Sequence, residues 1–359
     1  MRIIIAILCT AIGLGAEPLP NLQRPPLPRP ADLPKLSPLT ANATGQVITK
    51  PSDWAIHREE LRRDWTQFLG VFPTVKAPLA PEFFAQEELP TFTRQRVSYQ
   101  IEAGVRTDAM LLTPKSAKGK FPGIVLFHPT YTNHYARAVG LEGKEEPERH
   151  QAVQLVERGY VVLAPRCFIY SELPPGYQKK AESIYVANVR RLRERHPAWH
   201  GLTRMTWDGI RALDFIETLA NVDGQRLGIF GHSLGAKEVI YVAAFDERVQ
   251  CTVSSEGGVG LSFSNWQDVW YLGSEIRQPG FARDHHELLS LIAPRPFLLL
   301  AGNSADTDKS WAYIEAALPV YELLGGPQNL GWFNHGLGHR YGGAARPVAE
   351  AFLDRHLKR

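Results

Sequence analysis

Residues 225–237, Gln-Arg-Leu-Gly-Ile-Phe-Gly-His-Ser-Leu-Gly-Ala-Lys, run from a short apolar stretch into Gly231-His232-Ser233-Leu234-Gly235 and then into a helical run ending near Phe245. A strand that meets Gly-x-Ser-x-Gly and turns at once into a helix places its serine on a sharp, strained corner. The flanking glycines answer a steric need, because a Cβ on either side of that corner would strike the neighbouring strand or helix. A bare Gly-x-Ser-x-Gly arises by chance. Its strand and helix flanks predict that Ser233 is presented as a nucleophile.

The remaining chain supplies the alternation that such a corner needs. Residues 93–101 and 106–113 alternate about the turn Glu102-Ala103-Gly104 and predict a β-hairpin. Residues 121–127 are continuously apolar and stop at His128-Pro129, as a strand buried on both faces would. A helix over 150–158, a strand over 160–165 and a long amphipathic helix over 205–220 lead to the elbow strand. Beyond it the pattern reads strand 249–254, strand 296–301, helix 311–324, strand 330–333 and a closing helix 346–357. This order implies an α/β fold with a mostly parallel central sheet and helices on both faces. Residues 52–68 form a helix ahead of the sheet, with Trp54, Leu61, Trp65 and Phe68 at helical spacing, so its tryptophans belong to the core.

Two insertions, 166–201 and 257–286, leave from the carboxyl ends of strands, where open α/β sheets bind ligands. They are expected to wall the cleft.

At 359 residues, 44% hydrophobic and 21% charged, the chain is long enough to bury a large core. The formal charge of +3, with no basic stripe interleaved with aromatics, argues against a nucleic-acid partner. Met1-Arg2, the apolar run from Ile3 to Leu14, and Gly15-Ala16 read as a signal peptide over 1–16. The expectation is a secreted or periplasmic protein with no stable membrane insertion after cleavage. Recurrent prolines make 17–50 an extended strap or linker. Residues 51–359 then form one catalytic domain with an N-terminal helix. Cys167 and Cys251 remain after cleavage, as a disulfide or as two buried thiols.

A serine hydroxyl needs a base, and the base needs a carboxylate to orient it. In this topology the order is serine, acid, histidine. His339, in the glycine-rich loop after the last strand, is the expected base, with His335 as the alternative. Two acids compete: Asp306, after strand 296–301, and Glu256, after strand 249–254, with Asp308 a distant third. The oxyanion donors are expected to be the backbone N–H of Leu234 and that of Thr130 or Tyr131, since Pro129 has none. His232, beside the nucleophile, and Trp266, in the second insertion, are candidate substrate contacts. No metal and no cofactor is expected, the His-x-x-x-His pair lying in a glycine loop without the glutamate of a zincin.

With Ser233, His339 and the late acids in view, the chain from about residue 94 onward resembles the α/β-hydrolases of the dienelactone hydrolase and acetyl xylan esterase-like group in their exported bacterial form. Dienelactone hydrolase proper uses a cysteine where this chain has Ser233. The Phe-His-Pro-Thr segment resembles the His-Gly-x oxyanion loop of acetyl xylan esterases, with Pro129 in place of glycine. A narrower similarity is to glucuronoyl esterases, whose elbow reads Gly-Cys-Ser-Arg-x-Gly-Lys. Lys237 matches that lysine, which the resemblance assigns to holding the uronate, and Glu256 in Ser-Glu-Gly-Gly matches the family glutamate of Gln-Glu-x-Gly. Leu234 stands where that family has its oxyanion arginine. The resemblance implies serine-dependent hydrolysis of a carboxylic ester, small or polysaccharide-borne. Acetylated xylan is the first expectation and a glucuronoyl ester the alternative, with a peptidase or a non-catalytic binding protein on the same scaffold as further rivals.

Overall fold

The computed structural model describes residues 19–41, 45–115, 119–130, 135–170 and 183–358. The expected signal segment 1–16 and the alternative oxyanion donor Tyr131 lie outside them.

The continuously apolar runs become the middle of a sheet. In chain order, the first helix α1 (Pro51–Leu69) is followed by strands β1 (Glu82–Glu88), β2 (Phe92–Glu102), β3 (Val105–Pro114) and β4 (Phe121–Phe127). Then come α2 (Gln151–Glu157), β5 (Val161–Pro165), α3 (Ile184–Arg195), α4 (Gly201–Glu217), β6 (Val222–His232), α5 (Leu234–Phe245) and β7 (Val249–Ser255). The chain closes with α6 (Val269–Leu272), α7 (His286–Ile292), β8 (Phe297–Ala301), α8 (Trp311–Leu323), β9 (Leu330–Asn334) and α9 (Ala345–Leu357).

Among the described residues the nine strands lie in the order β1-β2-β3-β5-β4-β6-β7-β8-β9. Pairing is antiparallel from β1 to β5 and parallel from β5 to β9. Every residue of β4, β5 and β8 is buried, as strands covered on both faces require. One apolar layer joins α1, α4, α5, α7 and α8 to the sheet, and a second joins α2 and α9 to the opposite face. No helix among the described residues is long and apolar enough to cross a membrane.

Helix α1 begins with Pro51 in its first turn, where a missing N–H is tolerated, and buries Trp54, Leu61, Trp65 and Leu69. The Trp65 indole donates to Glu287 Oε2 at 2.6 Å. Ahead of it the proline-rich segment runs along the sheet edge, where Leu22 O accepts from Trp332 N at 2.7 Å. Cys167 and Cys251 are free, buried thiols. Burial raises the pKa of both.

The insertions behave differently from expectation. Residues 184–195 of the first form helix α3. The second turns inward, burying Val259, Leu261, Trp266, Trp270, Tyr271 and Leu272, because so many large apolar side chains gain more from joining the core than from lining a wet cleft. Neither segment contributes a described residue to the cavity that contains Ser233.

Candidate active site

Strand β6 ends at His232, and Ser233 follows with φ 58° and ψ −114°. A non-glycine residue in this region is strained and persists only where its surroundings over-determine it. Those surroundings are the two glycines. A Cβ on Gly231 would lie 2.1 Å from Gly235 O, and one on Gly235 would lie 2.0 Å from Phe127 O. The chain can therefore reverse tightly enough to bring β4, β6 and the start of α5 together at Ser233. The serine amide donates to Ser255 O at 2.9 Å, fixing the corner to β7.

His339 reaches this corner from the loop after β9. Gly336 and Gly338 both take positive φ, 67° and 75°. The loop also abuts Gly302, where a Cβ would meet Gly338 O at 2.1 Å. His339 Nε2 lies 2.8 Å from Ser233 Oγ, and His339 Nδ1 lies 3.1 Å from Glu256 Oε2. Glu256 is fully buried. Its Oε2 also accepts from Ala305 N at 2.9 Å, and its Oε1 accepts from Gly302 N. An ionised carboxylate only accepts hydrogen bonds. The bond at Nδ1 therefore makes that nitrogen the proton bearer and turns the Nε2 lone pair toward the serine hydroxyl.

The other expected acid lies elsewhere. Asp306 is fully buried and accepts from Gly258 N and Val259 N, each at 2.7 Å, and from Ser310 Oγ at 2.9 Å. Burial raises its pKa. Its oxygens are engaged by the segment after Glu256 and by Ser310, and it makes no hydrogen bond to His339. Asp308 accepts from Asn334 Nδ2 at 2.7 Å. His335, the alternative base, accepts from Leu337 N at 3.2 Å through Nδ1 and makes no hydrogen bond to Ser233.

Lys237 is 3% exposed, so it belongs neither to the surface nor to an open cleft. Its ammonium donates to Gly257 O at 2.6 Å and sits 4.0 Å from the Trp266 ring centre. Burial depresses its pKa to about 7. Trp266 is itself fully buried and donates to Gly258 O at 2.6 Å. Asp306, Lys237 and Trp266, expected as acid and substrate contacts, thus converge on Gly257–Val259, the segment directly behind Glu256.

The expected oxyanion groups sit beside the serine. Leu234 opens α5, whose N-terminal amides point their positive end at the corner. Thr130 lines the same cavity as Ser233. The loop between is fixed by buried His128, whose Nε2 accepts from Cys167 N at 3.2 Å while Nδ1 bonds Pro129 O at 2.8 Å. His232 is buried, with Nδ1 3.0 Å from Ser255 Oγ. Its ring centre is 5.1 Å from that of His339. Burial first, then the neighbouring histidines, hold its pKa down to about 3.

The cavity over these groups has a volume of about 440 Å³, and its wall includes Glu146, Glu148, Arg149 and Arg340. None of these four was anticipated. Arg340 carried a signal in its place next to His339, whereas residues 146–149 carried none, since nothing local ties that loop to the elbow.

The dienelactone hydrolase family profile matches residues 107–269. A Bacillus subtilis (strain 168) protein named as a hydrolase, YtaP, is 27% identical over 251 residues, covering 68% of this chain and 80% of its own. A 4-O-methyl-glucuronoyl methylesterase of Phanerochaete carnosa is 27% identical over 192 residues, covering 44% of this chain and 46% of its own, so the match spans about half of that relative. In structure, the glucuronoyl esterase from Solibacter usitatus superposes with a TM-score of 0.74 at 20% identity, covering 92% of this chain and 99% of the other. The chain therefore has the α/β-hydrolase fold, and its residues 107–269 resemble the dienelactone hydrolase family.

Proposed function

We propose that this protein, an esterase of the carbohydrate-esterase type, cleaves its ester through an acyl-enzyme on Ser233, with His339 as general base and then acid and Glu256 as the carboxylate that orients it. The observation carrying this reading is the unbroken line from Ser233 Oγ through the His339 ring to Glu256, with contacts of 2.8 and 3.1 Å.

His339 Nε2 takes the serine proton as Oγ attacks the ester carbonyl. The Glu256 carboxylate holds the ring and stabilises the imidazolium that forms. The carbonyl oxygen gains charge next to the Leu234 amide and the Thr130 loop, whose dipoles are already aimed and need no reorganisation. Collapse of the tetrahedral intermediate expels the alkoxide, which takes the proton from His339. Water then attacks the acyl-Ser233 ester, His339 again accepts a proton, and the carboxylic acid leaves with Ser233 restored.

Two substrate readings follow. A uronate ester on a plant polysaccharide is supported by Glu256 after β7 and by the glucuronoyl names among the relatives. An acetyl ester is favoured by Leu234 in the place of the oxyanion arginine and by the burial of Lys237. Initial rates on a methyl glucuronate ester, acetyl xylan and p-nitrophenyl acetate, with Ser233→Ala as control, decide between them. Preference for the glucuronate ester supports the first reading and preference for the acetyl esters the second. Loss of no activity in Ser233→Ala would overturn the mechanism.

A further inference from the structure

A second cavity, of about 320 Å³, opens on the same carboxyl edge of the sheet, at the start of β3 and the end of β5. Its charged lining is Arg106, Asp108, Arg166, Arg191, Arg195 and Arg204. Five cations facing one anion repel one another, and the arrangement is tolerated only where counter-charges or a ligand offset it.

Two of the five are already neutralised. Arg204 pairs with Glu102 and Asp208, each at 2.7 Å, and Arg106 pairs with Glu82 at 3.3 Å. Arg166 reaches Asp108 only at 3.7 Å. Its Nε is buried with no hydrogen-bond partner among the described residues. Arg191 and Arg195 form no ion pair among the described residues. They stand one turn apart on α3, with Asn188 and Leu192 on the same face, and all four line the cavity.

The cavity is also tied to the catalytic cleft. Arg166 is directly followed by Cys167, whose amide holds His128 of the oxyanion loop. Tyr170 from the same segment packs its ring against that of His128, with centres 5.7 Å apart. Strands β5 and β3 lie two and three positions from β6 in the sheet, which sets the cavity about 10–15 Å from Ser233 at ordinary strand spacing. That span matches a few sugar units along one chain.

We infer that Arg166, Arg191 and Arg195 form a carboxylate subsite that holds a free uronate group of the same acidic polysaccharide whose ester lies at Ser233. Guanidinium groups match a planar carboxylate in charge and in hydrogen-bond geometry. The inference rests on the esterase reading for its substrate, and its test separates the two.

The variant is Arg191→Ala/Arg195→Ala, placed on an outward helix whose apolar contacts it leaves intact. On an esterified xylooligosaccharide that carries a second, free glucuronate, KM should rise about tenfold with kcat unchanged, as loss of paired charges predicts. The rise should shrink at high salt, and p-nitrophenyl acetate hydrolysis should be unaffected. An unchanged KM on the acidic substrate would overturn the subsite.

Calorimetric titration of Ser233→Ala with the ester-free glucuronate oligosaccharide gives the independent readout. Binding that disappears with the arginine pair upholds the subsite even if no ester in the panel is cleaved. Binding of inorganic phosphate without binding of the oligosaccharide overturns it.

Discussion

Lys237 and Trp266 face each other with the ammonium 4.0 Å from the indole ring centre, and they bond the consecutive carbonyls of Gly257 and Gly258. Asp306 takes the amides of Gly258 and Val259 from the other side. Glu256, the carboxylate proposed to orient His339, has φ 55° and is the residue just before this clamped segment.

Removing the clamp should therefore affect turnover more than binding. Lys237→Met keeps the aliphatic stem and deletes the charged hydrogen bond, which is worth about 1.5–3 kcal/mol. We expect kcat to fall about tenfold, the equivalent of about 1.4 kcal/mol, with KM within a factor of two. Steady-state kinetics well below the melting temperature check this. A raised KM with kcat preserved would instead make Lys237 a substrate contact.

The two buried carboxylates should separate cleanly on substitution. Glu256→Gln retains the shape but offers His339 Nδ1 the wrong partner, and kcat should drop by about 10³–10⁴-fold. Asp306→Asn replaces one accepting oxygen with an NH2 donor that would face a backbone N–H of Gly258 or Val259, and should lower the melting temperature while costing less than about tenfold in kcat. The reverse ranking would make Asp306 the orienting acid.

The elbow glycines admit no side chain. Gly235→Ala would drive a Cβ to 2.0 Å from Phe127 O and Gly231→Ala to 2.1 Å from Gly235 O. Both clashes are with backbone, which cannot swing aside, so each substitution should cost more than about 3 kcal/mol. Denaturant unfolding measures the cost, and a loss under about 1 kcal/mol would show that the corner is looser than described.

His232 should remain neutral throughout the working range. Its pKa is held to about 3 by burial, against about 6.5 in an unfolded chain. The stability it contributes is complete above pH 6.5 and is lost as pH falls from there toward 3. Between those limits wild type should lose about 1.4 kcal/mol per pH unit relative to His232→Gln. Imidazole NMR gives the direct check: no titration of His232 between pH 5 and 8, in contrast to a midpoint near 6.5.

The sheet was legible where burial wrote a pattern. Residues 121–127 have no polar side chain, and β4 occupies those seven positions. β1 left no such mark, because every residue of Glu-Phe-Phe-Ala-Gln-Glu-Glu is exposed and its place comes from backbone pairing with β2. Helix α3 was masked by its arginines, which made an apolar face at Ile184, Val189 and Leu192 read as part of a charged insertion. The choice between Glu256 and Asp306 was not legible at all. Both follow neighbouring parallel strands and both are fully buried, so only the loop path, with Glu256 at positive φ, turns one of them toward His339. The carboxyl-edge position of the serine and histidine followed from topology alone.

Labelling with a fluorophosphonate probe, read by peptide mass spectrometry, reports on the nucleophile itself. One adduct is expected, on the peptide containing Ser233, formed at least about 10³-fold more slowly in His339→Ala. Absence of an adduct on Ser233, or labelling that is indifferent to His339, would contradict the Ser233–His339 assignment.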